Sequence, residues 1–162
     1  MKTIVLLFTL LAACTLPADD PWDDMPGSKV TPVFPDGQDW WYVRVEAEAA
    51  QWAKAVEPHG CPAPFLVVPE GGRPVRLVPP EEWRHPANKI GVETPDGIDI
   101  RWYQTDLIPE GRWTTPILLH EMGHALGLEH SDNEYEAMHT PAWEYAPAVR
   151  EGELAAMSIG CL

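Results

Sequence analysis

Positive charge is scarce in this chain: 11 lysines and arginines stand against 25 aspartates and glutamates, a net charge of −14. Such a balance argues against nucleic acid as a partner and against direct electrostatic adsorption to anionic lipid, both of which need clustered cations. It names no substrate, because an acidic, solvated surface also simply keeps an exported protein soluble. Cysteine is nearly absent, with only Cys14, Cys61 and Cys161. The leading apolar run, in MKTIVLLFTLLAA at residues 1–13, is too short to span a bilayer. Dense oxygen-ligand spacing of the EF-hand kind is missing too. Asp96 and Asp99 around Gly97 give only weak support for a structural calcium.

What is present begins at that apolar run, which follows Lys2 and ends in small residues, as a signal peptide does. Leu11, Ala12, Ala13 and Cys14 resemble the bacterial lipobox, which implies cleavage before Cys14 and its lipidation. The competing reading is an ordinary secretory signal that happens to contain a cysteine. A lipidated Cys14 implies an extracytoplasmic protein anchored to a bacterial membrane. Thr15 in place of Asp at the next position favours the outer membrane in a Gram-negative host. Without residues 1–13, 149 of the 162 residues remain, enough for one domain with a real core. Cys61 and Cys161 can pair outside the cytoplasm, closing a loop of about 100 residues and fixing the C-terminus; two free buried thiols are the alternative.

Residues 14–38 are rich in Pro and Asp and read as a tether, with 29–34 available as an edge strand. Asp36, in PDG, is read as a turn residue. From Asp39 the pattern turns helical: Trp41, Val45, Ala49, Trp52, Ala53 and Val56 recur at spacings of three and four, Asp39 can cap the start, and Pro58 with Gly60 ends the run. Between residues 61 and 114 short runs separated by Pro and Gly replace that period. Candidate strands are 65–68, 74–78, 89–93 and 98–103, which make a small twisted sheet with an edge strand. His59 and His85 fall in Pro-rich loops and read as surface residues. Residues 149–158 read as a last helix.

The chemistry is concentrated in residues 120–130, HEMGHALGLEH. On a helix, residues four apart share a face, so His120 and His124 can offer two imidazoles to one ion. Gly127 can take positive φ, stop the helix and bring His130 back as a third nitrogen ligand. Three protein nitrogens leave one position of a tetrahedral zinc open, the arrangement of a catalytic site rather than a structural one. Glu121, one step round the helix, can hold a water beside the ion. Five residue types at fixed spacing coincide by chance with a frequency on the order of 10⁻⁴ or less in a chain this long. The helix start is equally readable, Thr115 as a hydroxyl cap followed by Pro116.

This signature, HExxHxxGxxH, resembles that of the metzincin metallopeptidases. Met138, eight residues after His130, stands where the matrixin branch carries its Met-turn methionine. The resemblance implies an α+β domain over residues 39–162: a twisted mixed sheet, a long first helix packed on it, an active-site helix and a C-terminal helix. One edge strand would line the cleft and pair antiparallel with substrate. It also implies one catalytic Zn²⁺ on His120, His124 and His130, a zinc-bound water activated by Glu121 as general base, and Met138 as an apolar floor beneath the metal. The expected activity is zinc-dependent endopeptidase, with a protein or peptide as substrate and a monomeric enzyme. His139 and the PAWEY segment at 141–145 would form walls of the pocket, and Thr140 receives no role. Matrixins carry paired aspartates in the last helix; Glu151 and Glu153 stand here in a different pattern. No matrixin cysteine-switch sequence precedes the domain. Two other functions fit the same scaffold: a catalytically inactive surface-binding protein with structural zinc, and a hydrolase of cell-wall peptides.

Overall fold

The computed structural model describes residues 27–102, 114–140 and 148–156. The signal peptide, Cys14, residues 141–145 and Cys161 lie outside them. The described residues form an α+β fold: β1 (Ser28–Val33), α1 (Trp40–Val56), β2 (Phe65–Val67), β3 (Arg73–Val78), β4 (Gly91–Thr94), β5 (Gly97–Arg101), α2 (Thr114–Ala125) and α3 (Glu151–Ala156). The sheet order is β2-β1-β3-β5-β4, parallel throughout except that β4 runs antiparallel to β5 at one edge.

Two expectations are corrected here. The segment assigned to an edge strand within the tether is β1, and it is interior, hydrogen-bonded to β2 on one side and β3 on the other. Residues 28–33 therefore belong to the folded domain. Proline at position 32 is tolerated because β2 pairs only with Ser28, Lys29 and Val30, so the side of β1 on which Val30 O accepts Val68 N–H has no ladder left to receive an N–H from position 32; the Pro32 ring shares the buried face with Ser28 and Val30. Asp39 does not cap α1 through its side chain. Its backbone is already helical, with φ −57° and ψ −23°, whereas a capping residue holds β-region angles that swing its oxygen back to the next amides. The other strands lie within two residues of their expected bounds.

Alternation along β3 and β5 sorts the sheet into two faces. Val75, Leu77, Ile98 and Ile100 point to the helices and are buried, each contributing roughly 1.5–3 kcal/mol of transfer free energy. The intervening Arg76 and Asp99 are register partners on the opposite face, and the Arg76 guanidinium donates to Asp99 Oδ1 at 2.5 Å. His85, expected at the surface, is only half-buried and bonds Asp99 Oδ2 at 2.7 Å. This ties the loop between β3 and β4 to the sheet. Two indole N–H groups fasten the helices: Trp41 donates to Val75 O at 2.9 Å, and Trp52 donates to Leu119 O at 3.2 Å. The second bond fixes α1 against the active-site helix one residue before His120.

On the apolar stripe of α1 one carboxyl is fully buried. Burial pushes Glu48 up from 4.5 to about 7, and Arg44 at 3.7 Å and a Gln51 hydrogen bond oppose the rise only in part. A carboxyl whose folded pKa lies above its unfolded value binds more protons in the native state, so stability is highest at low pH. It falls as pH climbs through 4.5 and levels off above about 7. Glu48→Gln is expected to be more stable than wild type by about 3 kcal/mol at pH 8 and nearly equal at pH 4. Urea unfolding of both proteins across that range measures the difference.

Candidate metal centre

Helix α2 carries the site because Ile117, Leu118, Leu119, Met122 and Ala125 are buried against the core, which leaves His120, Glu121 and His124 facing the cleft. The helix ends as the sequence predicts. Gly127 has φ +78° and its N–H returns to His124 O at 2.8 Å, while Leu128 N–H reaches Gly123 O at 3.0 Å, a Schellman-type closure. The turn carries His130 back to the helix. His124 Nε2 then lies 3.1 Å from His120 Nε2 and 3.2 Å from His130 Nε2.

Those distances say what belongs between the rings. A carbonyl only accepts hydrogen bonds, so His120 Nδ1, 2.9 Å from Ala137 O, and His124 Nδ1, 2.8 Å from Leu128 O, carry the protons. Both Nε2 atoms are thus bare lone pairs aimed at each other, with no hydrogen bond to make. A cation resolves the conflict, and a tetrahedral zinc with bonds of 2.0–2.1 Å separates its nitrogens by roughly 3.3–3.4 Å. Among the described residues this is the group that could hold a metal ion, its ligand atoms all within 4.8 Å. Burial, followed by mutual repulsion from the other rings, lowers His120 to about 4 against a single opposing bond from Ala137, and burial likewise lowers His124. Both are held as neutral imidazole, the form that ligates.

Glu121 is 8% exposed, and burial pushes it up to about 7. Its Oε2 accepts the Glu93 N–H at 3.0 Å, so the carboxylate lies against edge strand β4. That approach needs Gly91. A Cβ there would stand 2.5 Å from Ile117 Cγ2 and 2.6 Å from Glu121 Oε1. The histidines and Glu121 form one wall of a cleft of about 340 Å³, residues 88–93 form the other, and Ile117 and Thr140 complete it. The strand that lines the cleft is therefore β4. Thr140, given no role from sequence, lines it; His139 is not among the lining residues and instead bonds Ser131 O at 3.2 Å. Asp36 is in an exposed turn and does not line the cleft.

Met138 is 1% exposed under α2, against Gly123, where an added Cβ would collide with its sulfur. The turn that holds it is anchored by Glu153. That side chain is 3% exposed; Oε1 accepts Met138 N–H at 2.7 Å and Oε2 accepts Arg150 N–H at 2.7 Å. Since Ala137 O orients His120, Glu153 acts on the ligand through one short turn. Sequence reading missed this role, although a glutamate at the third position of a helix is half of a capping box and could have flagged the Arg150 contact. Glu153→Gln, which keeps the shape but sets an NH2 group against one of the two backbone N–H donors, is expected to lower stability by about 1–2 kcal/mol and to weaken metal retention. Thermal melts and competition with a chelator read the two effects separately.

Comparison with known proteins agrees with this geometry. A search of curated proteins finds no match. The matrixin family model matches residues 34–153, most of the chain and all of the site. With a mixed five-stranded sheet, a histidine triad that could bind zinc and a methionine turn beneath it, the chain belongs to the matrixin peptidase family.

Proposed function

We propose that this protein is a zinc-dependent endopeptidase, with His120, His124 and His130 as metal ligands, Glu121 as general base and Met138 as the floor of the site. The observation that carries the reading is the convergence of three Nε2 atoms beside a buried carboxylate in an open cleft bounded by edge strand β4. A purely structural metal needs no such base.

When bound, zinc supplies Lewis acidity that polarises the scissile carbonyl and lowers the pKa of water towards about 7. The remaining work falls to the chain. Ala137 O and Leu128 O hold two imidazoles in the ligating tautomer. Glu121 receives the proton of the attacking water and delivers it to the departing amine, so no covalent enzyme intermediate is needed. Strand β4, at the sheet edge, offers backbone groups to an extended peptide, which would add as an antiparallel neighbour.

The same proposal places the domain outside the cytoplasm, lipid-anchored through Cys14 and acting as a monomer, with Cys61 and Cys161 disulfide-linked. Support for the anchor is the LAAC sequence. Support for the bridge is that two cysteines remain beside Cys14 in a chain that opens on an export-type signal, and that Cys61 packs against the core. Mass spectrometry with and without reductant tests both modifications. For the activity, the zinc-loaded protein is incubated with a peptide library, with casein and with isolated peptidoglycan. Chelator-sensitive cleavage of peptides and casein is expected. Stoichiometric zinc without cleavage of any of them sinks the proposal.

A further inference from the structure

We infer that Lys89 selects substrates carrying a carboxylate two to three residues on the C-terminal side of the cleaved bond. The inference rests on the peptidase reading above and concerns which peptides that site prefers.

Lys89 lines the cleft in the turn that enters β4, is exposed, and has no salt-bridge partner among the described residues. Its backbone is fixed from three directions. Lys89 N–H donates to Pro86 O at 2.9 Å, the Arg101 guanidinium donates to Ala87 O at 3.2 Å, and Arg101 N–H donates to Ile90 O at 2.7 Å. The His85 contact with Asp99 fastens the same loop to the sheet. An ammonium group is thus presented to the cleft from a backbone that need not be ordered on binding.

Its place along the substrate follows from strand direction. Gly91 and Glu93 flank Glu121, which marks the position of the scissile bond along β4. A peptide antiparallel to β4 lays its C-terminal half beside the strand's N-terminal end. Lys89 precedes Gly91 by two residues, about 7 Å at roughly 3.3 Å per residue, and an extended peptide covers that distance in the same number of residues. Glu93, further along β4, also lines the cleft, so the charge along this wall changes sign from Lys89 to Glu93.

This preference opposes the one expected from the whole molecule. A net charge of −14 repels acidic peptides at long range. At about 0.15 M salt the screening length is roughly 8 Å, which suppresses that field and leaves the local contact with Lys89.

The test uses the full zinc-loaded protein at physiological salt and matched fluorogenic peptides that differ only at the second or third residue after the cleaved bond. That residue is Glu, Gln or Lys, and each peptide ends either in an amide or in a free acid two to three residues past the bond. The readout is the ratio of kcat/KM values within each protein, which is independent of its overall activity. Wild type is expected to favour Glu over Lys by about tenfold, Lys89→Ala to bring the ratio close to one, and Lys89→Glu to invert it. A gain from the free acid but not from the side chain would identify the terminal carboxylate as the recognised group. Peptides cleaved with neither a preference for Glu over Lys nor a gain from the free acid, or a preference that survives in Lys89→Ala, overturn the inference and leave the peptidase reading standing. Failure to cleave any peptide overturns both.

Discussion

Replacing Glu121 by glutamine is expected to lower peptide cleavage by about a thousandfold or more while one zinc per molecule stays bound. General bases of this kind contribute about 10²–10⁴ in rate. Glutamine is nearly isosteric and its amide oxygen can still accept the Glu93 N–H that Oε2 accepts now at 3.0 Å. What disappears is the capacity to take a proton. The ligands are oriented independently, His120 by Ala137 O and His124 by Leu128 O, so the metal has no reason to leave. Parallel measurement of kcat and of zinc per chain separates the two quantities. A variant that loses zinc along with activity would show that Glu121 builds the site rather than serving as its base.

Gly123→Ala is expected to destabilise the protein by about 1–2 kcal/mol and to impair metal retention, against the local preference of the helix. In an exposed helix interior, alanine would be favoured over glycine by about 1 kcal/mol. Here the added Cβ would overlap Met138 Sδ and stand 3.1 Å from Trp52 Cζ2. Both neighbours are essentially unexposed: Trp52 is pinned through its indole to Leu119 O, and the flexible Met138 side chain is enclosed in the core on a backbone held by Glu153. Neither can withdraw cheaply, and overpacking a rigid core typically costs about 1–3 kcal/mol. The steric term therefore outweighs the propensity term. Relief of the clash by Met138→Ala in the double variant would recover part of the loss, and a thermodynamic cycle of the four proteins measures that coupling.

The parts of the site written in one continuous segment were legible beforehand. Helical periodicity places His120 and His124 on one face, and Gly127 turns the chain to His130; each step depends on residues within ten of one another. The parts assembled across the fold were not. Nothing in KIGVE announces that Gly91 is needed where β4 meets Glu121, because the requirement is set by the register between β4 and β5 and by how α2 packs on them. His85 looked like a loop histidine until sheet pairing set Asp99 beside Arg76 and the loop folded over both. Glu153 differs again. Its sequence neighbours suggest a helix start, while its contact with Met138 spans 15 residues and connects two elements whose docking no local pattern encodes. Strand β1 was misplaced for the same reason, since alternation tells which face is buried and not which neighbours a strand acquires.

Zinc titration of the metal-free protein is the most direct measurement of the central claim. Peptide cleavage should be absent without metal, rise in proportion to added zinc and break at one equivalent per chain. Cleavage by the metal-free protein, or one equivalent of tightly bound zinc with no cleavage at all, would contradict it.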